Sequence, residues 1–145
     1  MRVLFDTSVW IEHLRRGALT EVIPALRGKF SLWLDAVSAA ELRAGCRSKP
    51  ERSGVERLVA PFEKAGRLAV PEAGDYERAA AALSRLREGG KTLKQPGGAL
   101  LDALIAAVSS RSGALLVTLN IDDFHMLAEA LPLRVEPLTT FTTRL

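Results

Sequence analysis

The chain has 145 residues, 48% hydrophobic and 26% charged, a balance that suits a folded domain with a real core and excludes disorder. One cysteine, Cys46, excludes an internal disulfide, and a formal net charge of +3 permits a polyanionic partner without requiring one. No apolar run approaches the roughly 18 residues of a membrane span and the N-terminus lacks the layout of a signal peptide, so a cytoplasmic protein of a single domain, residues 1–145, with no membrane association is expected.

In chain order, Val3-Leu4-Phe5 reads as a buried strand ending at Asp6. Asp6-Thr7-Ser8 offers helix-capping chemistry, and Val9, Trp10 and Leu14 recur at helical spacing before Arg15-Arg16-Gly17 closes that helix. Thr20 to Leu26 suits a short second helix and Ser31 to Leu34 a second strand. Ser38-Ala39-Ala40-Glu41 matches a capping box, which would open a helix running through Leu42 to Gly45. Lys49 to Gly54 reads as a turn, Val55 to Lys64 as an amphipathic helix ended by Gly66, and Leu68 to Pro71 as a short strand. An alanine-rich helix follows from Asp75 to Glu88, then a glycine-rich loop from Gly89 to Gly98. Leu100 to Ser110 is helical, Leu115 to Thr118 a buried strand, Asp122 to Leu131 a helix, and Leu133 to Pro137 a last strand. This alternation predicts an α/β domain: a parallel sheet covered on both faces by helices.

In open sheets of this kind, ligands bind beyond the carboxyl ends of the strands. Asp6 follows the first strand, Glu41 falls in the first turn of its expected helix, and Asp102 opens the helix after the glycine-rich loop. Asn120, Asp122 and Asp123 follow the strand Leu115–Thr118. Each has a plainer reading as a cap or first-turn acid. Asp102 resists it best: its neighbours Leu100, Leu101, Ala103, Leu104 and Ile105 are aliphatic, and an unpaired charge near a core is costly. Carboxylates gathered at one edge repel one another, and a hard cation with oxygen ligands, Mg²⁺ or Mn²⁺, relieves that conflict. With only His13, His125 and Cys46 as nitrogen or sulfur donors, zinc fits poorly. A cation so held can neutralise a phosphodiester and lower the pKa of bound water.

Four blocks carry a resemblance: Val3-Leu4-Phe5-Asp6-Thr7-Ser8-Val9, Val37 to Gly45 around Glu41, Leu101-Asp102-Ala103-Leu104-Ile105-Ala106-Ala107, and Leu116 to Phe124. In this order they resemble a PIN domain, and Ala40-Glu41-Leu42-Arg43-Ala44-Gly45, with the compact length, resembles VapC-type toxins. The resemblance implies a three-layer α/β/α fold with about five parallel strands and a Mg²⁺- or Mn²⁺-dependent ribonuclease acting on single-stranded RNA. It also implies a homodimer and a small antitoxin partner that blocks the site and through which operator DNA is bound. By position, Asp6, Glu41 and Asp102 match the family's regular acids. Asp123 is taken as the fourth metal-binding and catalytic carboxylate, Asn120 as a neutral ligand or orienter, and Asp122 as a further choice. Thr7, Ser8 and Thr118 are expected to supply hydroxyls to the carboxylates or to metal-bound water.

Arg15, Arg16, Arg43, Arg47, Lys91 and Lys94 are candidates for holding phosphates, with solvated surface as the alternative for each. Trp10, Trp33 and Phe62 are expected in the core rather than stacking on bases. The helices from Val55 and Asp75 offer either partner surfaces or core faces. A non-catalytic PIN-like RNA-binding or interaction module is the alternative function. A dehalogenase-like phosphatase is disfavoured because Ser8 stands where its second Asp would be, and a receiver domain because no Lys follows Lys94.

Overall fold

β1 (Arg2–Phe5) lies at the centre of a five-stranded, all-parallel sheet of order β3-β2-β1-β4-β5 in a computed structural model that describes residues 1–95 and 98–145. Its neighbours are β2 (Ser31–Asp35), with Leu4 opposite Trp33, and β4 (Leu115–Thr118), with Leu4 opposite Leu116. β3 (Leu68–Ala69) and β5 (Arg134–Pro137) form the edges. Strands covered on both faces need apolar side chains pointing both ways, which is why Val3-Leu4-Phe5 and Leu115-Leu116-Val117 read as unbroken runs.

The alternation of the strands divides the core. Val3, Phe5, Leu32, Leu34, Leu115 and Val117 face one side, and Leu4 and Leu116 the other. The first side is covered by α1 (Thr7–Arg16), α4 (Lys49–Lys64) and α8 (Leu138–Thr142), which contribute Val9, Trp10, Val55, Val59 and Phe141. The second is covered by α5 (Ala73–Glu88), α6 (Ala99–Arg111) and α7 (Ile121–Leu127), with Ala79, Ala82, Leu86, Leu104, Ile105 and Phe124. α2 (Val22–Leu26) packs Leu26 into the first side, and α3 (Ala36–Ala44) contributes Val37 to one side and Ala39 and Leu42 to the other. The three-layer expectation is met. α4 and α5, the helices that contain Val55 and Asp75, turn their apolar stripes inward, and Trp10 is fully buried. No helix of the described residues is long and apolar enough to cross a membrane.

Gly17 ends α1 at φ 69°, a left-handed position where an added Cβ would come 2.9 Å from Thr20 Oγ1. Several boundaries differ from the sequence expectation. Ser38 does not cap α3: the N-cap is Asp35, whose side chain accepts from the Val37 amide, so Ser38 lies inside the helix and Glu41 in its second turn. Lys49 to Gly54 is not a turn but the start of α4, capped by Ser48 with Pro50 in the first turn, where its missing N–H costs nothing. α7 stops at Leu127, and α8 appears where no element was expected. Of the glycine-rich loop Gly89 to Gly98, Pro96 and Gly97 lie outside the described residues.

Candidate metal centre

β1 and β4 end side by side, and the Asp6 amide donates to the Val117 carbonyl at 3.1 Å, extending the ladder by one step. The Asp6 side chain, 3% exposed, therefore sits beside the carboxyl end of β4. Its Oδ1 accepts from Ser8 Oγ at 2.6 Å and from the Val9 amide at 3.3 Å. Its Oδ2 accepts from Thr118 Oγ1 at 2.7 Å across 112 residues of sequence. Thr118 Oγ1 in turn accepts from the Asn120 amide at 2.8 Å, and Ser8 Oγ from the Leu119 amide at 3.3 Å. Two hydroxyls thus join β1, β4 and the start of α7. Burial pushes the Asp6 carboxyl above its ordinary range, the donors from Ser8, Thr118 and Val9 pull it down, and the Glu41 charge raises it again.

α1 and α3 meet at Thr7, whose hydroxyl lies 2.7 Å from Glu41 Oε1 and 3.0 Å from Ser38 Oγ. A hydroxyl has one proton, so Thr7 donates to the carboxylate and Ser38 is left to donate to Thr7. Asp102 sits in the first turn of α6, half-buried, and its carboxylate has no hydrogen-bond partner among the described residues. Burial, then the charges of Asp6, Glu41 and Asp123, push it up to about 7. The four acids that sequence reasoning picked out therefore act on one another at the edge where the strands end.

Asp123 is fully buried in the first turn of α7. Its Oδ1 accepts from the Lys94 amide at 2.7 Å, and its Oδ2 from the Gln95 amide and Asn120 Nδ2, both at 3.2 Å. Asp123 thus ties down the loop that leads into α6, and with it the approach to Asp102. Asn120 orients Asp123. Asp122 is not drawn into the cluster: it is exposed, pairs with Lys94 Nζ at 2.5 Å, and lies below its ordinary pKa for that reason. Four of the six candidate cations are neutralised, Arg16 by Glu12, Arg43 by Glu56 and Glu63, Lys91 by Glu129, and Lys94 by Asp122.

Sequence reasoning missed Asp35. It closes β2 much as Asp6 follows β1, is fully buried, and Oδ2 has no hydrogen-bond partner among the described residues. Burial pushes it up to about 7, against the pull of the Val37 and Ser38 amides and with the charges of Asp75 and Glu41 adding to the rise. The signal was present: Leu34-Asp35 repeats the pattern of Phe5-Asp6, an apolar strand closing on an Asp before a helix.

All four clustered acids offer oxygen only, which suits a hard divalent cation. Asp102, unpartnered among the described residues and held toward its neutral form by burial and then by three like charges, is where such an ion would relieve most repulsion. Among the described residues no three acids already stand close enough together to coordinate an ion. Glu41 is drawn to Thr7 and Asp123 to the loop amides instead.

The sequence profile of the PIN domain matches residues 3–130. The chain belongs to the PIN domain family. No curated protein is recognisably similar in sequence. Among solved structures, this PIN domain is similar to VapBC2 from Rickettsia felis bound to a fragment of promoter DNA. The TM-score is 0.71 and the identity 19%, over 94% of this chain and 98% of the other. VapBC-1 from nontypeable Haemophilus influenzae matches at TM-score 0.70 and 19% identity over 96% and 99% of the two chains. VapBC-5 from Mycobacterium tuberculosis, a member of a toxin-antitoxin family, matches at 0.65 and 22% over 94% and 98%. These likenesses are of fold, and they extend over nearly the whole length of each partner.

Proposed function

We propose that this PIN domain is a Mg²⁺-dependent endoribonuclease, with Mn²⁺ as a substitute, and the toxin of a toxin–antitoxin pair. The observation that carries the reading is Asp102: a carboxylate with no hydrogen-bond partner among the described residues, in the field of Asp6, Glu41 and Asp123, at the carboxyl edge of a parallel sheet. Asp6 and Asp102 would hold the ion, Glu41 and Asp123 completing the shell directly or through water. When bound, the cation supplies charge to the scissile phosphate and acidifies water. The chain does the remainder. Ser8, Val9 and Thr118 fix the Asp6 oxygens, Thr7 aims Glu41, and Asn120 with the Lys94 and Gln95 amides fixes Asp123.

The toxin assignment is supported by the likeness to proteins solved as VapBC complexes, two of them on DNA. We extend from it a small antitoxin partner, operator DNA bound only through that partner, homodimerisation and residence in the cytoplasm. The test is cleavage of single-stranded RNA by the purified protein with and without Mg²⁺ or Mn²⁺. Asp6→Asn and Asp102→Asn should each lower the rate by more than about 100-fold, beyond the cost of losing an outer-shell partner. Undiminished cleavage by both variants refutes the assignment.

A second reading, a non-catalytic RNA-binding or interaction module, is favoured by one fact: the described acids are not spaced to coordinate an ion. Titration calorimetry with Mg²⁺ and Mn²⁺ separates the two, because a scaffold has no need to bind either at Asp102.

A further inference from the structure

We propose that a cavity between the sheet and the last turn of α6 binds a small organic carboxylate with an apolar body the size of one ring. The cavity lies at the amino ends of β1 and β4, away from the acidic cluster, and the inference needs no part of the nuclease reading. Arg2, which opens β1, and Ala114, which precedes β4, line it together with Arg111 of α6. Leu4, Trp33 and Ala69, which share one face of the sheet, form an apolar floor. The volume is about 160 Å³, close to the roughly 150 Å³ of an apolar cavity that holds benzene.

Charge selects the occupant. The Arg2 guanidinium lies 4.5 Å from the centroid of the Trp33 ring, a contact that holds a cation in place without neutralising it. Among the described residues Arg2 makes no salt bridge. Arg111 is fixed by its bonds to the Asp75 carboxylate and, from Nη2, to the Val70 carbonyl at 3.1 Å. Asp75 also pairs with Arg78, so this one buried carboxylate balances only one of the two guanidinium groups. The other acid within reach of Arg111 is Glu72, 67% exposed and 3.4 Å from Nη1. Among the described residues no acid lines the cavity itself. A guanidinium has five N–H groups, so Arg111 keeps donors for an incoming carboxylate, which would displace Glu72.

Two further observations favour this ligand. The carbonyls that end α6 would repel an anion, but the chain itself occupies them. Val108 O accepts from the Ser112 amide and hydroxyl at 3.0 and 2.8 Å, Ser109 O from the Ala114 amide at 3.0 Å, and Ser110 O from the Gly113 amide at 3.2 Å. Trp33 is only half-buried although β2 has strands on both sides, so part of a large aromatic surface stays open beside the two cations. Inorganic phosphate would leave that apolar floor wet, and a nucleotide exceeds the volume. A planar carboxylate on a ring-sized body matches the guanidinium fork and covers the floor.

The test is titration of the full chain with phenylacetate, read by the indole N–H resonances in a proton–nitrogen correlation spectrum. The Trp33 indole N–H is held by Ser31 Oγ at 3.0 Å and reports on the cavity, while fully buried Trp10 is the internal control. The Trp33 resonance should shift saturably and that of Trp10 should stay in place. 2-Phenylethanol, which keeps the ring without the charge, and acetate, which keeps the charge without the ring, should each bind at least tenfold more weakly. Arg2→Gln should weaken phenylacetate at least tenfold, whereas Glu72→Gln should tighten it several-fold by freeing Arg111. Arg87→Gln, an exposed cation on α5 outside the cavity, should bind as the parent does. The proposal is overturned if Trp33 shows no saturable shift, if the alcohol or inorganic phosphate binds as tightly as phenylacetate, or if Arg2→Gln keeps the parent affinity. Because Arg2→Gln and Glu72→Gln are expected to act in opposite directions, a general loss of folding cannot imitate the result, and weakening by both overturns the role given to Arg111.

Discussion

Replacing Asp35 by Asn should make the protein more stable at mildly alkaline pH, by an amount set by the burial of its carboxyl. Asp35 has no exposed surface, and Oδ2 meets no donor among the described residues. Its carboxyl is raised from 3.8 to about 7, first by burial and then by the charges of Asp75 and Glu41. A carboxyl raised in the folded state holds its proton longer there than in the unfolded chain. Its contribution is therefore favourable at low pH and is lost as pH climbs from about 4 toward about 7. At about 1.4 kcal/mol per pH unit, ionised Asp35 costs about 4 kcal/mol above that window, and about 2.5 kcal/mol of this is lost between about pH 5 and pH 8. Asparagine keeps the oxygen that accepts from the Val37 amide, but buries an unpaired NH₂ at a cost of about 1–3 kcal/mol. The variant and the parent should be nearly level at about pH 5, and the variant ahead by about 1–3 kcal/mol at about pH 8. Urea denaturation in EDTA, followed by tryptophan fluorescence, measures both proteins across that range, and the contribution of Asp102 largely cancels in the difference. A difference that stays flat with pH, or that favours the parent as pH rises, would refute the reasoning.

Mg²⁺ should raise the melting temperature with the logarithm of its concentration above the dissociation constant, adding about 2.7 kcal/mol of stability at a hundredfold excess; a thermal scan checks this, and Asp102→Asn should abolish the effect. Asp123→Ala removes the acceptor for two loop amides and for Asn120. Hydrogen exchange should show protection lost at Lys94 and Gln95, with a global cost of about 1–3 kcal/mol. Arg111→Met strips one guanidinium from fully buried Asp75, leaving Arg78 as its cationic partner among the described residues. Chemical denaturation should show a loss of about 1.5–3 kcal/mol, the worth of hydrogen bonds to a charged group that keeps its other cation.

Much of the fold and of the acid set could be read without coordinates, for a physical reason. Val3-Leu4-Phe5 and Leu115-Leu116-Val117 are apolar on both faces because parallel strands in a three-layer fold are covered on both faces, so strand ends and the acids just beyond them stand out. Asp6 and Asp102 were visible as charges against aliphatic runs. Asp35 was hidden because Ser38-Ala39-Ala40-Glu41 satisfies the capping-box pattern three residues downstream, whereas Asp35 had already taken the cap. The start of α4 was hidden because Lys-Pro-Glu-Arg-Ser-Gly has the composition of a turn, although proline in a first helical turn loses no hydrogen bond. The role of Asp123 was legible only as an acid near the edge. That its oxygens face the Lys94 and Gln95 amides depends on how a loop 28 and 29 residues away in sequence folds back. Which arginines are free is likewise a matter of pairings such as Arg43 with Glu56 and Glu63, 13 and 20 residues distant.

Of the sheet's five strands, the one synthesised before the others is the middle one. Its ladder on one side is completed early, by β2, but the other side stays open until β4 has been made, more than a hundred residues later. Contacts of such long range place this chain among slow folders, and they leave an unpaired edge during synthesis. Asp6 gains its Thr118 partner only at the same late step. A chain interrupted before that point carries at most three of the four acids, and has neither the strand that seats Asp6 nor the loop anchor at Asp123. Truncated translation products should therefore be inert.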